Sequence, residues 1–281
     1  MSDEYDRSLS LWADAQRASG ISSNASIKTL IEGGLHRFAA RDAVQPSSIL
    51  HSPAPDTVHR PAGLLAEVDL GGRAARVVLF CRQPCLTLVD GFIEEDECSA
   101  LISEARPRLR RSQVVDVDST SGAGMESIAR SSSSMFFAPA ESPLVRMVEA
   151  RASCLAGIDR CFAEPVQIVR YGEGGTVANH QDYFDARDCS TTAIIAAGGQ
   201  RIATVLVYLN TPNAGGETVF ADIQLEVVPH TGHAVHFAFP AANEIDRTLH
   251  SGAPVIQGEK WVATVWFRDS PQRPSDREHV V

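Results

Sequence analysis

Positions 203–209 read ATVLVYL, an unbroken run of apolar and β-branched residues. A run of this length that ends in turn residues is typical of a buried strand. Comparable runs recur after Glu164, separated by turn signals, at positions 166–171, 218–221, 234–239 and 261–267. The second half of the chain is therefore predicted to consist of many short strands.

The residues before Glu164 mix strand-like and helix-like patterns. Positions 74–80 and 85–89 are rich in Val and Leu and are predicted to be strands. Apolar residues spaced three and four apart predict helices at 93–105 and 144–155, and the Ser-, Gly- and Asp-rich stretch 116–134 is predicted to be a loop. Helices followed by many short strands indicate an α+β domain whose core is a β-sandwich or jelly roll.

The first 62 residues differ in character from the rest. Helical spacing predicts helices near 9–18 and 27–40, and a Pro-, Ser- and His-rich passage at 45–61 is typical of a linker. We therefore expect a small helical N-terminal extension with its linker at 1–62, a main domain at 63–269 and a C-terminal tail at 270–281.

Composition argues against several classes of partner and location. The chain has 281 residues and a formal net charge of −10, whereas binding a nucleic-acid backbone requires a basic patch. No apolar run approaches the roughly 20 residues that span a bilayer, and the first residues lack the basic start and apolar stretch of a secretory signal. We expect a cytoplasmic protein without nucleic-acid or membrane partners, and its six cysteines, which form no CxxC pair, are expected to be free thiols.

Three residues in the strand-rich half can bind one metal ion: His180, Asp182 and His250. Two imidazoles and one carboxylate bind one face of iron(II) and leave the opposite positions open for a chelating co-substrate and dioxygen. Lys260 follows His250 closely and offers an ammonium partner to an acidic co-substrate, because an unpaired buried charge is costly. The pattern points to a non-haem iron oxygenase.

Strand periodicity predicts which neighbouring residues share a cavity with these ligands. Side chains alternate between the two faces of a strand, so Lys260 and Trp266 lie on one face of the last predicted strand. If this face and that of Thr204 look into the barrel, both Lys260 and Thr204 lie near a common cavity. Thr204 or Tyr171 would then be a hydroxyl donor to the co-substrate.

Four blocks of sequence resemble the prolyl 4-hydroxylase branch of the 2-oxoglutarate/iron(II) dioxygenases. In chain order they are RSS at 130–132 before MF at 135–136, VRYGEG at 169–174 leading to HQDYF at 180–184, ATVLVYLN at 203–210 followed by GGETVF at 215–220, and LHSGAPV at 249–255 continuing to GEKWVAT at 258–264. The similarity spans roughly residues 85–269 and does not include the first 60.

This resemblance implies a double-stranded β-helix (jelly-roll) core with supporting helices, and a 2-oxoglutarate/Fe(II) dioxygenase domain at 63–269. It implies that the three candidate ligands bind Fe(II). It further implies that the distal carboxylate of 2-oxoglutarate pairs with Lys260, helped by Thr204 and Tyr171, and that Trp266 lines the same pocket.

The activity implied by the resemblance is hydroxylation of an unactivated C–H bond, coupled to decarboxylation of 2-oxoglutarate to succinate. Dioxygen is the oxidant and ascorbate is an accessory reductant. An intact Asp182 favours hydroxylation over halogenation, since related halogenases lack this carboxylate. Positions 116–129 correspond to a loop that closes over the substrate.

Two positions depart from the family pattern and leave the substrate open. Val177 stands where the family usually has a tyrosine, three residues before the first metal histidine, and Asn179 stands where proline is common. A prolyl peptide is therefore expected beside an alternative, a free or carrier-bound amino acid or another small metabolite. Glu164 and Arg268, with Val177, are candidates for substrate contacts at matching rim positions.

The sequence leaves two other functions open and contains one other group of histidines. A jelly-roll binding module without catalysis is one alternative, and a zinc hydrolase is another, although no HExxH-like element is present. His230, His233 and His236 are spaced three apart, and on a strand such residues point to opposite faces. They are therefore interpreted as structural.

Overall fold

The structure, a computed structural model, describes residues 67–111 and 132–273, together with the single residues Gln16, Ser19 and Thr29. The chain divides into two compact units, Met1–Thr57 and Val58–Val281. Apart from Gln16 and Thr29, the predicted helices at 9–18 and 27–40 lie outside the described residues, as do the linker, the boundary at 62 and most of the predicted loop at 116–134.

The described part of the second unit contains three helices and fifteen strands. The helices are α1 (Glu95–Ala105), α2 (Pro143–Ala156) and α3 (Cys189–Gly198). The strands are β1 (Glu67–Asp69), β2 (Ala74–Cys81), β3 (Cys85–Asp90), β4 (Arg110–Arg111), β5 (Ser132–Phe136), β6 (Gln167–Tyr171), β7 (Val177–His180), β8 (Arg201–Tyr208), β9 (Ala214–Gly215), β10 (Thr218–Phe220), β11 (Leu225–Val227), β12 (Ala234–Ala238), β13 (His250–Gly252), β14 (Val255–Gln257) and β15 (Lys260–Arg268).

Most of the strands form two antiparallel sheets that enclose the site. The major sheet has the order β1-β2-β3-β12-β8-β15-β6-β5-β4, and the minor sheet has the order β11-β10-β13-β7. A short third sheet pairs β14 with β9. Crossovers between distant strands, such as β3 beside β12 and β10 beside β13, are typical of a jelly roll rather than a simple meander. The predicted jelly-roll core is confirmed.

Both faces of the central strand β8 are buried, which explains its unbroken apolar sequence. Val205 and Val207 lie on one face, where helix α2 packs against the strand. Thr204 and Tyr208 lie on the other face, which looks toward the minor sheet, and both are almost completely buried. The strand therefore carries the helix layer on one side and the inner cavity on the other.

Apolar side chains from both sheets fill the closed end of the space between them. Phe220 and Val227 enter from the minor sheet, and the major sheet contributes Leu86, Val169, Tyr208, Val235, Phe237 and Val262. Burial of this cluster is the main favourable contribution to packing of the sheets, at roughly 25 cal/mol for each Å² of apolar surface removed from water.

The two predicted helices form where expected, with clear start signals. Helix α2 begins after Ser142, whose hydroxyl accepts a hydrogen bond from the Val145 amide, and ends at Gly157 in the left-handed region at φ +67°. Helix α1 begins with a capping box between Glu94 and Glu97. The helix layer thus follows from local sequence signals.

Three features differ from the sequence predictions. Helix α3 was not predicted, because its sequence CSTTAIIAAG lacks an amphipathic pattern; it begins at an Asp188 cap and none of its residues is buried. Ser132–Ser134, predicted to end a loop, belong to β5 and pair with β6, so tertiary pairing overrides their weak strand propensity. His250, predicted just before a turn, begins strand β13 and pairs with His180.

The first residues of the predicted C-terminal tail are held firmly against the domain. The Gln272 amide donates to the Cys161 carbonyl, and Arg273 donates to Glu149 and to the Arg160 carbonyl. Among the described residues, no helix is long and apolar enough to cross a bilayer.

Candidate metal centre and co-substrate pocket

The minor sheet brings three metal-binding side chains together at its inner face. His180 ends β7, His250 begins the neighbouring β13, and Asp182 follows two residues after His180. One ligand atom from each residue lies within 4.8 Å of the other two. Asp182 Oδ1 lies 3.6 Å from His180 Nε2, and Oδ2 lies 4.0 Å from His250 Nε2. The donors are close enough to bind a single ion.

Backbone carbonyls select the imidazole tautomer that a metal needs. His180 Nδ1 lies 3.0 Å from the Ala178 carbonyl oxygen, and His250 Nδ1 lies 2.9 Å from that of Thr248. A carbonyl accepts only from a protonated nitrogen, so the lone pair of a neutral ring is left on Nε2. Both Nε2 atoms face the carboxylate, which fits the histidine-carboxylate donor set of an Fe(II) site.

Burial and charge keep these groups in their metal-binding protonation states. Asp182 is 7% exposed, and although burial alone would raise its pKa, His250, His180 and Arg201 together with a hydrogen bond from Thr204 hold that pKa below its usual value. Burial lowers the pKa of His250 although Asp182 opposes this shift. An ionised carboxylate beside a neutral imidazole is the pair that a cation requires.

Thr204 contacts a candidate metal ligand. Its hydroxyl donates a 2.7 Å hydrogen bond to Asp182 Oδ2 from the facing strand β8 and so orients that carboxylate. The contact between Thr204 and the distal carboxylate of 2-oxoglutarate stays a prediction.

Lys260 lies at the closed end of the cavity and is only 5% exposed. Its Nζ is 3.5 Å from Thr218 Oγ1 and lies 5.6 Å from the Tyr208 ring centre and 5.9 Å from that of Tyr171. Burial lowers its pKa to about 8, although Glu217 opposes this shift. A buried ammonium beside one hydroxyl group and two tyrosine rings is a site prepared for a carboxylate.

A cavity of about 290 Å³ connects Lys260 with the three candidate ligands. Its lining includes the predicted residues Tyr171, Val177, Thr204 and Trp266. The cavity is large enough for a small dicarboxylate, and Trp266 lines its end away from Lys260. Sequence reasoning therefore identified residues that the fold brings to one cavity.

A group of charged residues lies beside Trp266, at the end of the cavity away from Lys260. Glu164 accepts hydrogen bonds of 2.8 Å from both Nε and NH2 of Arg201, and a third from Arg268. The Arg201 guanidinium stacks on Trp266 at 3.9 Å from the ring centre and lines the cavity, whereas Glu164 and Arg268 do not line it. The two rim candidates thus hold Arg201 in place.

Arg201 and Thr218 line the cavity but were not predicted from the sequence, for different reasons. The alternation of β8 places Arg201 on the helix side, but its pairing with β15 is irregular: Phe267 pairs with Ala203, and the next residue, Arg268, pairs with Arg201. Such a bulge shifts the side chain to the other face. Thr218 lies within the block GGETVF at 215–220. The alternation of side chains along this predicted strand is the signal that could have indicated that Thr218 faces the cavity.

The rings of His230 and His233 lie 5.1 Å apart, but among the described residues the three histidines spaced three apart do not form a metal-binding group. His236 is buried within β12, and burial lowers its pKa to about 4. His233 Nε2 lies 3.2 Å from Asp90 Oδ1, in the turn that leads into that strand.

Several known proteins are similar to this chain in sequence. A model of the 2OG-Fe(II) oxygenase superfamily matches residues 166–268. A probable prolyl 4-hydroxylase 7 from Arabidopsis thaliana is 35% identical over 219 residues, which cover 71% of this chain and 67% of that protein. The chain belongs to the prolyl 4-hydroxylase-like 2-oxoglutarate/Fe(II) oxygenases.

Two further relatives agree with this membership. Prolyl 4-hydroxylase 2 from the same plant is 35% identical over 208 residues, covering 66% of this chain and 67% of the relative. A solved structure, the viral collagen prolyl hydroxylase of Paramecium Bursaria Chlorella virus-1 in complex with 2-oxoglutarate, is 28% identical, with a TM-score of 0.50, over 65% of this chain and 94% of the viral chain. This prolyl 4-hydroxylase-like chain is an enzyme that uses Fe(II) and 2-oxoglutarate.

Proposed function

We propose that this enzyme hydroxylates a prolyl residue of a polypeptide, with His180, Asp182 and His250 as the Fe(II) ligands. The observation that carries the proposal is the convergence of these donors, with both Nε2 atoms turned toward the carboxylate, in one cavity with a buried ammonium group. Bound Fe(II) and 2-oxoglutarate supply oxidative decarboxylation to succinate, coupled to hydroxylation of a C–H bond.

The protein contributes binding, orientation and exclusion of water. Lys260 pairs with the distal carboxylate of 2-oxoglutarate, and Thr218 and Tyr171 flank that ion pair. Because Lys260 is buried, the pair forms away from water and is stronger than a surface pair. Thr204 keeps the Asp182 carboxylate aimed at the metal.

We assign substrate binding to the end of the cavity that Trp266 and Arg201 line. The Trp266 Nε1 donor is buried and has no hydrogen-bond partner among the described residues, and the Arg201 guanidinium stacks on its ring. Unpaired buried donors favour a ligand that brings acceptors, such as the carbonyl oxygens of a polypeptide. Glu164 and Arg268 act as positioning residues for Arg201, and Val177 forms the opposite wall.

A cytoplasmic location and the use of ascorbate as reductant complete the proposal; both are inferred from the sequence and the family resemblance.

A direct test measures substrate-dependent succinate release with proline-containing peptides and with free L-proline. We expect peptides to stimulate succinate release and to gain one oxygen atom, as seen by mass spectrometry. Asp182→Ala should abolish both signals while its circular dichroism spectrum stays that of the parent. Hydroxylation of free L-proline alone would contradict the peptide assignment, and full turnover by Asp182→Ala would refute the ligand assignment.

A further inference from the structure

The concave face of the major sheet continues well beyond the cavity. Cross-strand partners present their side chains on the same face of an antiparallel pair. Trp266 pairs with Thr204, Thr264 pairs with Gln167, and all four residues line the cavity. The register therefore traces the cavity-facing surface strand by strand across the sheet.

The same register extends this face onto the last two strands of the sheet. Gln167 pairs with Phe136 of β5, and Ser134, two residues earlier on the same face, pairs with Arg110 of the edge strand β4. We call this surface the concave shelf and define it by Trp266, Thr264, Gln167, Phe136, Ser134 and Arg110.

The outer part of the concave shelf has the character of a binding surface. Phe136 is 51% exposed, which leaves an aromatic ring uncovered by the described residues on the face that otherwise lines the cavity. Exposed aromatic residues at the end of a cavity are frequent sites of partner contact. The surface that contains Phe136 thus continues the cavity lining at Gln167, and Phe136 is not an isolated exposed residue.

Arg110 supplies a charge at the far end of the concave shelf. Its NH1 donates to the carbonyl of the preceding Leu109 at 3.2 Å, and no carboxylate of the described ranges 67–111 and 132–273 pairs with it. The other five members of the concave shelf are uncharged. An anionic group of a ligand would therefore find its partner here.

The length of the concave shelf fits an extended polypeptide and exceeds a free amino acid. Four inter-strand spacings of about 4.8 Å separate β8 from β4 and span about 19 Å. The register sets Arg110 level with Tyr208, four residues or about 13 Å along β8 from Thr204, so Thr204 and Arg110 lie about 23 Å apart. An extended chain advances about 3.4 Å per residue, so about seven residues cover this distance.

Building on the proposed function, we propose that the substrate is an extended polypeptide that crosses the concave shelf. It packs an apolar side chain against Phe136 and places an acidic residue about seven positions from the hydroxylated proline, opposite Arg110.

Fluorescence anisotropy with labelled peptides tests the inference without requiring turnover. The probes are a long peptide with one central proline and a Glu about seven positions to each side, the same peptide with Gln in place of Glu, and a capped tripeptide centred on proline. We expect the Glu peptide to bind about two- to fivefold more tightly than the Gln peptide, as for an exposed ion pair.

Two variants of neighbouring arginines separate a site from a general charge effect. Arg110→Gln should remove the difference between the Glu and Gln peptides. Arg111→Gln removes the same charge one residue away, on the opposite face by strand alternation, and should leave the difference intact. Phe136→Ser should weaken both long peptides and leave the tripeptide unaffected.

The inference is overturned if the parent protein does not distinguish the Glu and Gln peptides, or if Arg110→Gln and Arg111→Gln behave alike. The proposed function is tested separately, by succinate release from the same peptides. Hydroxylation of the tripeptide together with equal binding of the long peptides would reject the concave shelf and keep the prolyl hydroxylase. Loss of all peptide-dependent succinate release would reject the proposed function itself.

Discussion

Metal binding at the proposed site should depend on the orientation of a single carboxylate. Asp182 places one oxygen toward each histidine, and Oδ2 also accepts the hydrogen bond from Thr204. Partners that orient a ligand in this way typically contribute 10- to 100-fold to metal affinity. Thr204 should therefore act on the metal rather than on the co-substrate.

Replacing Thr204 distinguishes these two roles. Thr204→Val keeps the side-chain shape but removes the donor, and should weaken Fe(II) binding by about tenfold or more. Thr204→Ser keeps the hydroxyl and should bind Fe(II) nearly as the parent does. Anaerobic Fe(II) titration measures both affinities. An unchanged Fe(II) affinity in Thr204→Val with a raised requirement for 2-oxoglutarate would instead support the role predicted from sequence.

The low pKa of Lys260 makes co-substrate binding depend on pH. Below its pKa of about 8 the amine is protonated and pairs with a carboxylate. Above that pH a proton must be taken up on binding, so the Kd for 2-oxoglutarate should rise by up to about tenfold per pH unit. Calorimetric titration without oxygen, from about pH 7 to about pH 9, measures this slope.

Lys260→Arg is the matched control, because a guanidinium keeps its charge over the whole range. Its affinity is expected to be lower, since the longer side chain fits the pocket differently, but independent of pH. If the parent and Lys260→Arg have the same pH dependence, the titrating group is not Lys260.

Among the secondary-structure elements, the segment after β15 holds helix α2 in place. Glu149 of α2 has no exposed surface and accepts hydrogen bonds of 3.1 and 3.0 Å from Arg273, and a third from the Ala140 amide. Removing one partner of a buried ion pair leaves an uncompensated charge, which commonly costs 3–5 kcal/mol.

Arg273→Gln should therefore lower the free energy of unfolding by about 3 kcal/mol. The double variant Glu149→Gln with Arg273→Gln removes both charges and should be more stable than Arg273→Gln alone. Urea unfolding monitored by circular dichroism measures both changes. A double variant that is less stable than Arg273→Gln would contradict the assignment of the loss to an unpaired buried carboxylate.

Long elements with a regular pattern were predictable from sequence, whereas most of the shortest strands were not. The apolar run at 203–209 and the helical spacing at 144–155 carry enough residues to define a period, and β8 and α2 form there. β7 and β13 have only four and three residues, and their partners are distant in sequence. Such strands are defined by pairing across the sheet, which no local pattern records.

At the scale of the whole molecule, the closure of two sheets converts sequence-distant residues into one cavity. The candidate ligands and Lys260 were identified from residue type and family resemblance, and the fold places them around the same 290 Å³ space. The network of Glu164, Arg201 and Arg268 was only partly identified, because Arg201 reaches the cavity through a bulge. The sequence thus predicts the metal-binding and co-substrate residues better than it predicts the residues of the substrate-facing surface.

The most direct test of this account is an anaerobic absorption titration of the protein with Fe(II) and 2-oxoglutarate. If His180, Asp182 and His250 leave positions open for a chelating co-substrate, the ternary complex should develop a weak visible charge-transfer band. The band should be absent in Asp182→Ala and should require more 2-oxoglutarate in Lys260→Ala. A band of undiminished intensity in Asp182→Ala, or no band in the parent protein at saturating Fe(II) and 2-oxoglutarate, would contradict it.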